Sequence, residues 1–188
     1  MRILEIGAGT GNMTSTILPQ MTPSTYRERM YSTYTYTDIS ADVFNAAKER
    51  FKDVQGMKYA VLDICKDPIE QGFEAQSFGL IVASNVLHNT PSLHESLSNV
   101  MKLLHPRVRL FLHELSPTTK WSNLVMGRFA SWWVGDGDDR SDEPYVTSER
   151  WEKELKPAGF VDINAVKTDG QLNNTIVAMP ACDKYAVK

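Results

Sequence analysis

Arg2-Ile3-Leu4-Glu5-Ile6-Gly7-Ala8-Gly9-Thr10-Gly11-Asn12 opens the chain, and the reading of this stretch decides the fold. Ile3 to Ile6 is an apolar run that reads as a short buried strand. It stops in a glycine cluster, and Asn12 to Leu18 then reads as a helix. Strand, glycine turn and helix together make the place where an open α/β sheet holds a nucleotide-like ligand, at the carboxyl ends of its strands. Glycine is expected where backbone amides must approach a ligand closely, because a Cβ would collide with it. The spacing is G-x-G-x-G, with an acid, Glu5, two residues before the first glycine. Chains that bind a pyrophosphate favour G-x-G-x-x-G, which sets the phosphate against a helix N-terminus. An acid so close to the loop repels a pyrophosphate and suits a cationic amino group.

The pattern E-x-G-x-G-x-G resembles motif I of the class I methyltransferases that use S-adenosylmethionine, a ligand with an ammonium and a sulfonium but no phosphate. The resemblance implies that Glu5, Gly7, Gly9 and Gly11 border a cofactor site. On this stretch alone, a dinucleotide-binding fold and a glycine-rich turn without a ligand stay open as alternatives.

The chain has 188 residues, a length that fits one domain with a proper core. Residues 1–180 read as that single domain and 181–188 as a C-terminal tail. An apolar content of 42% and a charged content of 23% are ordinary for a globular protein. With 20 basic and 23 acidic residues the net charge is −3, which gives no electrostatic case for nucleic acid as a partner. No run approaches the roughly 18 apolar residues of a membrane span, and no signal peptide precedes the first strand. Cys65 and Cys182 lie far apart without metal-ligand spacing, so neither a metal nor a disulfide framework is expected, and a reducing, cytoplasmic setting fits. Methyltransferases of this kind usually carry helices before the glycine strand that cover cofactor and substrate. This sequence reads as lacking that cover, and so as a fragment of a longer protein or a truncated gene product.

Along the chain, Gln20 to Met30 reads as a polar loop flanked by Pro19 and containing Pro23. Tyr31 to Thr37 reads as a second strand, ending at Asp38-Ile39-Ser40, and Ser40 caps a helix through Val43, Phe44, Ala47 and Phe51. Asp38 stands where an acid accepts hydrogen bonds from two ribose hydroxyls, or else is a capping acid. Met57 to Leu62 reads as a third strand leading into Asp63-Ile64. The resemblance gives Asp63 the adenine amino group and Ile64, like Ile39, an apolar place beside the cofactor; a plain turn aspartate is the competing reading. Phe78 to Asn85 is a buried fourth strand, after which Thr90 and Pro91 read as cap and first turn of a helix striped with Leu93, Leu97, Val100, Met101 and Leu104. His105 to Val108 reads as a turn into a fifth strand that ends at Leu112, just before His113-Glu114-Leu115. Trp121 to Asp142 is irregular and aromatic-rich, a natural lid or substrate wall. A helix capped by Thr147 or Ser148 and closed by Gly159 follows, then strands Phe160–Lys167 and Asn174–Met179. The expected fold is α/β: a Rossmann-like, doubly wound, mostly parallel sheet of seven strands.

His88 falls just past strand four and Glu114 just past strand five. Adjacent strand ends share one rim of the sheet, beside the glycine loop. A carboxylate bonded to one imidazole nitrogen fixes the tautomer and makes the other nitrogen a better base. Such a base is needed where the methyl acceptor is a weakly acidic carbon or hydroxyl. No metal is called for, since a sulfonium already makes its methyl electrophilic. His94, His105 and His113 read as surface or structural.

Ser84-Asn85-Val86-Leu87-His88, followed 26 positions later by Glu114, resembles the C-methyltransferase domains of fungal reducing polyketide synthases. Trp132-Trp133-Val134-Gly135 with the acidic run through Arg140, Ser148-Glu149-Arg150-Trp151 and Ala158-Gly159-Phe160 are similar to the same group. That resemblance implies His88 as base and Glu114 as its orienting partner. It also implies S-adenosylmethionine as methyl donor, leaving S-adenosylhomocysteine, and an acceptor that is the α-carbon of a β-ketoacyl thioester on an acyl carrier protein. Other polyketide synthase domains are then natural partners. Asn85 is expected on the cofactor or enolate side. Trp132 and Trp133 read equally as walls for the acyl chain or as core. Two other functions stay open: a free-standing small-molecule O- or N-methyltransferase, and a non-catalytic remnant that binds cofactor at most.

Overall fold

The computed structural model describes residues 1–22, 28–168 and 172–181, with the side chains of 165–168 left out. Proline 23 of the expected loop, Cys182 and all but the first residue of the expected tail lie outside the described residues. The strands are β1 (Arg2–Ile6), β2 (Thr33–Asp38), β3 (Met57–Val61), β4 (Phe78–Ser84), β5 (Leu104–Leu115), β6 (Phe160–Thr168) and β7 (Asn173–Pro180). The helices are α1 (Asn12–Gln20), α2 (Phe44–Arg50), α3 (Leu93–Leu103), α4 (Ser122–Met126) and α5 (Ser148–Leu155). Seven strands form one sheet in the order β3-β2-β1-β4-β5-β7-β6. β1 to β5 pair in parallel, and β7 runs antiparallel to both β5 and β6. The doubly wound, mostly parallel sheet expected from the sequence is the sheet observed.

Alternation along the central strand explains the two layers of core. Leu4 and Ile6 point to one face, into the cluster built with Leu97, Val100, Trp151 and Phe160. Ile3 points to the other, among Leu18, Tyr34, Tyr36, Phe44 and Phe51. Every residue of β1 after Arg2 is buried, as a central parallel strand covered on both faces requires. The order of strands reverses between β1 and β4, so the loops leaving their carboxyl ends diverge and open a crevice at that point.

Several boundaries move for identifiable reasons. α1 continues through Pro19 to Gln20, where a loop was expected, and the Met21 amide closes it on the Ile17 and Leu18 carbonyls. Thr90 does not cap α3. Ser92 does, its hydroxyl accepting from the Glu95 amide at 3.2 Å, while Thr90 turns back to the Leu87 carbonyl at 2.8 Å. The expected turn at His105–Val108 is a bulge inside β5: Leu104 faces Phe78 and Arg109 already faces Leu80. At its other end β5 continues past Leu112, because β7 pairs with His113, Glu114 and Leu115. Glu114 is therefore on the strand and not beyond it. Gly159, with φ +96°, lies in the turn after α5 and not at the helix cap, which is Lys156. Within 121–142 the chain folds into α4 and two short 3-10 turns. No helix among the described residues is long and apolar enough to cross a membrane.

Leu97 is fully buried in the larger cluster, on the stripe that packs α3 onto the sheet. Leu97→Ala is expected to lower stability by about 2–5 kcal/mol through lost burial and a cavity that closes only partly. A urea midpoint shift at unchanged m-value is the measurement.

Candidate active site

The glycine loop is shaped first by the protein itself. A Cβ on Gly7 would lie 2.5 Å from Val86 Cγ2, and one on Gly11 would lie 2.6 Å from the Phe51 ring. Only Gly9, at φ +55°, leaves its Cβ direction open to the crevice. Gly7 and Gly11 thus make room for neighbouring side chains, and Gly7 and Gly9 also border the cavity beside the loop.

Glu5 is buried beneath this loop at 1% exposure. Its Oε2 accepts from the Tyr34 hydroxyl at 2.6 Å and from the Thr14 hydroxyl. Burial raises its carboxyl above the ordinary 4.5, against the two hydroxyl hydrogen bonds, which lower it. Burial and the neighbouring Glu5 together push the Tyr34 phenol up as well, and Tyr36, whose hydroxyl donates to the Gly9 carbonyl at 2.6 Å, to about 12. Both phenols therefore stay neutral donors. Glu5 lines a cavity of about 220 Å³ together with Gly7, Gly9 and Asn85.

Beside it lies a second cavity of about 380 Å³, bordered by Asp38, Ile39, Asp63, Ile64, Asn85 and Thr90. Asp38 accepts from the Gly9 amide at 3.0 Å and from the Ser40 amide at 3.1 Å, so it ties the end of β2 to the glycine loop while facing the cavity. Ile39 is 68% exposed, an apolar side chain held out at the cavity rim, and Ile64 is buried in its wall. Asp63 accepts from the Cys65 amide at 3.1 Å and pairs with Lys66 at 2.9 Å. Its carboxyl is lowered, the hydrogen bonds and charge of Lys66 with the Cys65 amide outweighing desolvation, the largest single influence, which acts upward. Gln71, unremarked in the sequence, clamps the loop by accepting from the Asp63 amide at 2.8 Å and donating to its carbonyl at 2.9 Å. Asn85 borders both cavities with φ +54°, a left-handed conformation that asparagine tolerates better than most residues.

His88 and Glu114 meet. Imidazole Nδ1 lies 2.6 Å from Glu114 Oε2, with both side chains buried. The other oxygen of Glu114 accepts the Val86 amide at 3.0 Å and the Leu87 amide at 2.9 Å. A carboxylate held by three donors can turn neither away from the ring nor out of the loop. Residues on either side of His88, namely Val86, Asn89 and Thr90, border the 380 Å³ cavity, which places the histidine loop on its wall.

Trp132 is 2% exposed and meets the His88 ring edge-on, centroids 5.5 Å apart at 74°. Its indole donates to Asn123 Oδ1 at 2.8 Å. Its buried ring packs against the imidazole of His88. Trp133 is half-buried and donates to the Gly127 carbonyl at 2.8 Å. His94 and His105 are exposed, and His113 pairs with the Thr175 hydroxyl at 3.1 Å, in keeping with surface or structural places. Sequence reasoning missed Thr14 and Tyr34 as partners of Glu5, and it missed Arg140, whose buried guanidinium touches the His88 backbone. Only the run of unexplained charges around Asp138 and Arg140 hinted at the last.

A glycine turn at the switch point, acids at the ends of β2 and β3, and a histidine–carboxylate pair at the ends of β4 and β5 define the class: a methyltransferase of class I architecture, the S-adenosylmethionine-dependent kind. The chain belongs to the methyltransferase domain family, whose model matches residues 4–110. The highly reducing polyketide synthase pspA of Penicillium soppii is 56% identical over 188 residues, all of this chain and 7% of that protein. The solved structure of the trans-methyltransferase CalH in complex with SAH matches at TM-score 0.91 and 41% identity, over 96% of this chain and 51% of that one. The CurJ carbon methyltransferase matches at TM-score 0.86 and 38% identity, over 97% of this chain and 49% of that one. The chain therefore spans a small part of the synthase and about half of each solved methyltransferase.

Because burial raises Glu5, the folded chain holds that proton more tightly than the unfolded one. As pH rises above the ordinary 4.5 the unfolded chain ionises first, so stability falls with rising pH. Glu5→Gln removes this loss and is expected to raise the melting temperature at pH 7.5 relative to pH 5. If Glu5 takes the cationic amino group of the cofactor, the same change weakens S-adenosylmethionine binding by roughly tenfold or more, measured by calorimetry, through loss of a charge-assisted hydrogen bond.

Proposed function

We propose that this chain transfers a methyl group from S-adenosylmethionine to the α-carbon of a β-ketoacyl thioester carried on an acyl carrier protein, with His88 as general base and Glu114 as the group that orients it. The observation that carries the proposal is the 2.6 Å contact between Glu114 Oε2 and Nδ1 of His88, in the loop whose Val86, Asn89 and Thr90 border the crevice.

The donor set fits the cofactor in character. Glu5 offers a buried carboxylate beside the glycine loop for an ammonium, and Asp38 offers acceptors at the end of β2 for ribose hydroxyls. Asp63 stands ready for an adenine amino group, with Ile39 and Ile64 as apolar flanks for the ring. Gly7, Gly9 and Asn85 border the smaller cavity and complete the cradle, while Gly11 lets the loop turn beside the Phe51 ring. Bound there, S-adenosylmethionine supplies an electrophilic methyl and leaves as S-adenosylhomocysteine. The SAH-bound state of CalH supports the same ligand here.

The rest of the chemistry belongs to the chain's own residues. Nδ1 is engaged with Glu114, so Nε2 carries the free lone pair that takes a proton. A hydrogen between a ketone and a thioester is acidic enough for imidazole to remove, and its bonding pair stays on the acceptor as an enolate. Glu114 stabilises the imidazolium that results, and the Val86 and Leu87 amides prevent the carboxylate from drifting. Fixing the base before the acceptor arrives supplies part of the rate through orientation. The similarity to pspA and to CurJ, a carbon methyltransferase, supports carbon over oxygen as the acceptor atom. CalH, described as acting in trans, supports an acceptor carried on a separate polypeptide as a second arrangement of the same chemistry.

In the full-length protein, His88→Ala is expected to lower α-methylation of a β-ketoacyl thioester by roughly 10³-fold or more while S-adenosylmethionine binding stays near wild type. Glu114→Gln should lower it by about 10²-fold. Mass spectrometry of the acyl product gives the site and rate. Methylation at oxygen or nitrogen, with none at the α-carbon, would overturn the proposal.

A further inference from the structure

Arg140 is a charged side chain at 3% exposure, lying between the irregular segment after β5 and the loop that carries His88. Its guanidinium makes four hydrogen bonds. Nη1 donates to the His88 carbonyl at 2.6 Å and to the Pro144 carbonyl at 3.1 Å, Nη2 donates to the Thr90 carbonyl, and Nε donates to Asp138 Oδ2 at 3.1 Å. Burial lowers its pKa from the ordinary guanidinium value, and Asp138 pulls the other way. A buried cation is costly unless paired, so the fold keeps this one only by aiming it at fixed acceptors.

The surroundings are built around it. Asp138 Oδ2 also accepts the Leu93 amide at the start of α3, at 3.0 Å. Its Oδ1 pairs with Arg150 at 3.1 Å, and Arg150 pairs with Glu154 at 2.7 Å, which anchors the segment to α5. Asp139, at φ +53°, turns the backbone in a left-handed step just before Arg140. A Cβ on Gly135 would lie 2.8 Å from Arg140 Cβ and 3.0 Å from its Cζ, so the glycine after the tryptophan pair is where the arginine crosses.

His88 sits in a three-residue 3-10 turn, Leu87–Asn89, with no side-chain cap. Glu114 holds its ring and the amides before it; Arg140 holds the carbonyls of His88 and Thr90. We infer that Arg140 is a positioning residue for the general base: it fixes the His88–Thr90 backbone so that Nε2 keeps one position toward the acceptor. This inference rests on the proposed role of His88.

The test compares Arg140→Gln, Arg140→Lys, Gly135→Ala and His88→Ala in the full-length protein, with kcat, KM for the acyl acceptor and S-adenosylmethionine affinity measured for each. Arg140→Gln is expected to lower kcat by roughly 10- to 100-fold, as a small misplacement of a catalytic group does, with KM and cofactor affinity within about twofold of wild type. Arg140→Lys should recover part of the loss. Gly135→Ala keeps the cation but displaces it, so it should lower kcat in the same way. Should Arg140→Gln not fold, Gly135→Ala decides. A kcat within about twofold of wild type for the folded variants overturns the inference, as do losses that fall equally on KM and cofactor affinity. Activity retained by His88→Ala overturns the reading of the base itself. Loss in His88→Ala beside unchanged Arg140 and Gly135 variants overturns the positioning role alone.

Discussion

The Glu114 carboxylate is the contact on which the site depends. It is wholly buried, and an ionised carboxylate in that position is tolerated only when its oxygens are filled. Two backbone amides occupy one oxygen and an imidazole occupies the other. Those three donors come from consecutive residues, Val86, Leu87 and His88, in the loop that leaves β4, whereas the carboxylate is on β5. A single side chain thus closes the gap between adjacent strand ends and sets the histidine at the same time.

The sheet makes that contact possible. β7 pairs with β5 as far as Leu115 and keeps Glu114 on a regular strand, with the preceding His113 paired to both β4 and β7. On the opposite side of the switch point, Asp38 and Tyr36 of β2 hold the glycine loop through the Gly9 amide and carbonyl. Glu5 holds β1 to β2 and α1 through Tyr34 and Thr14. The two sides of the switch point are built in the same manner: on each, an acidic side chain fully engaged with the protein holds a loop that borders the shared crevice.

The doubly wound architecture and the pairing of His88 with Glu114 were legible because they follow from local patterns: a glycine turn after an apolar run, and polar residues at the ends of buried runs. The boundaries of β5 were not, since the bulge at His105–Val108 and the extension to Leu115 are set by β4 and β7, far along the chain. Thr90 and Pro91 looked like a cap, but Ser92 with Glu95 offers a capping box, and the tertiary position of Thr90 took its hydroxyl elsewhere. The closeness of Val86 to Gly7 and of Phe51 to Gly11 is set by distant parts of the chain and leaves no mark in the glycine spacing. Trp132 was left between wall and core, and its edge contact with His88 is a third role that only the folded chain brings about. Arg140 gave no periodic signal, since three of its four hydrogen bonds go to backbone carbonyls, which any sequence supplies.

The central claim is that the His88–Glu114 pair removes a proton from carbon on the acceptor. The most direct measurement separates that step from methyl transfer: a β-ketoacyl thioester incubated in deuterium oxide with the full-length protein and S-adenosylhomocysteine, followed by mass spectrometry. The account predicts deuterium at the α-carbon at a rate well above the uncatalysed exchange, lost when His88 is replaced by alanine. Exchange no faster than in buffer, by a protein that still methylates its acceptor, would contradict it.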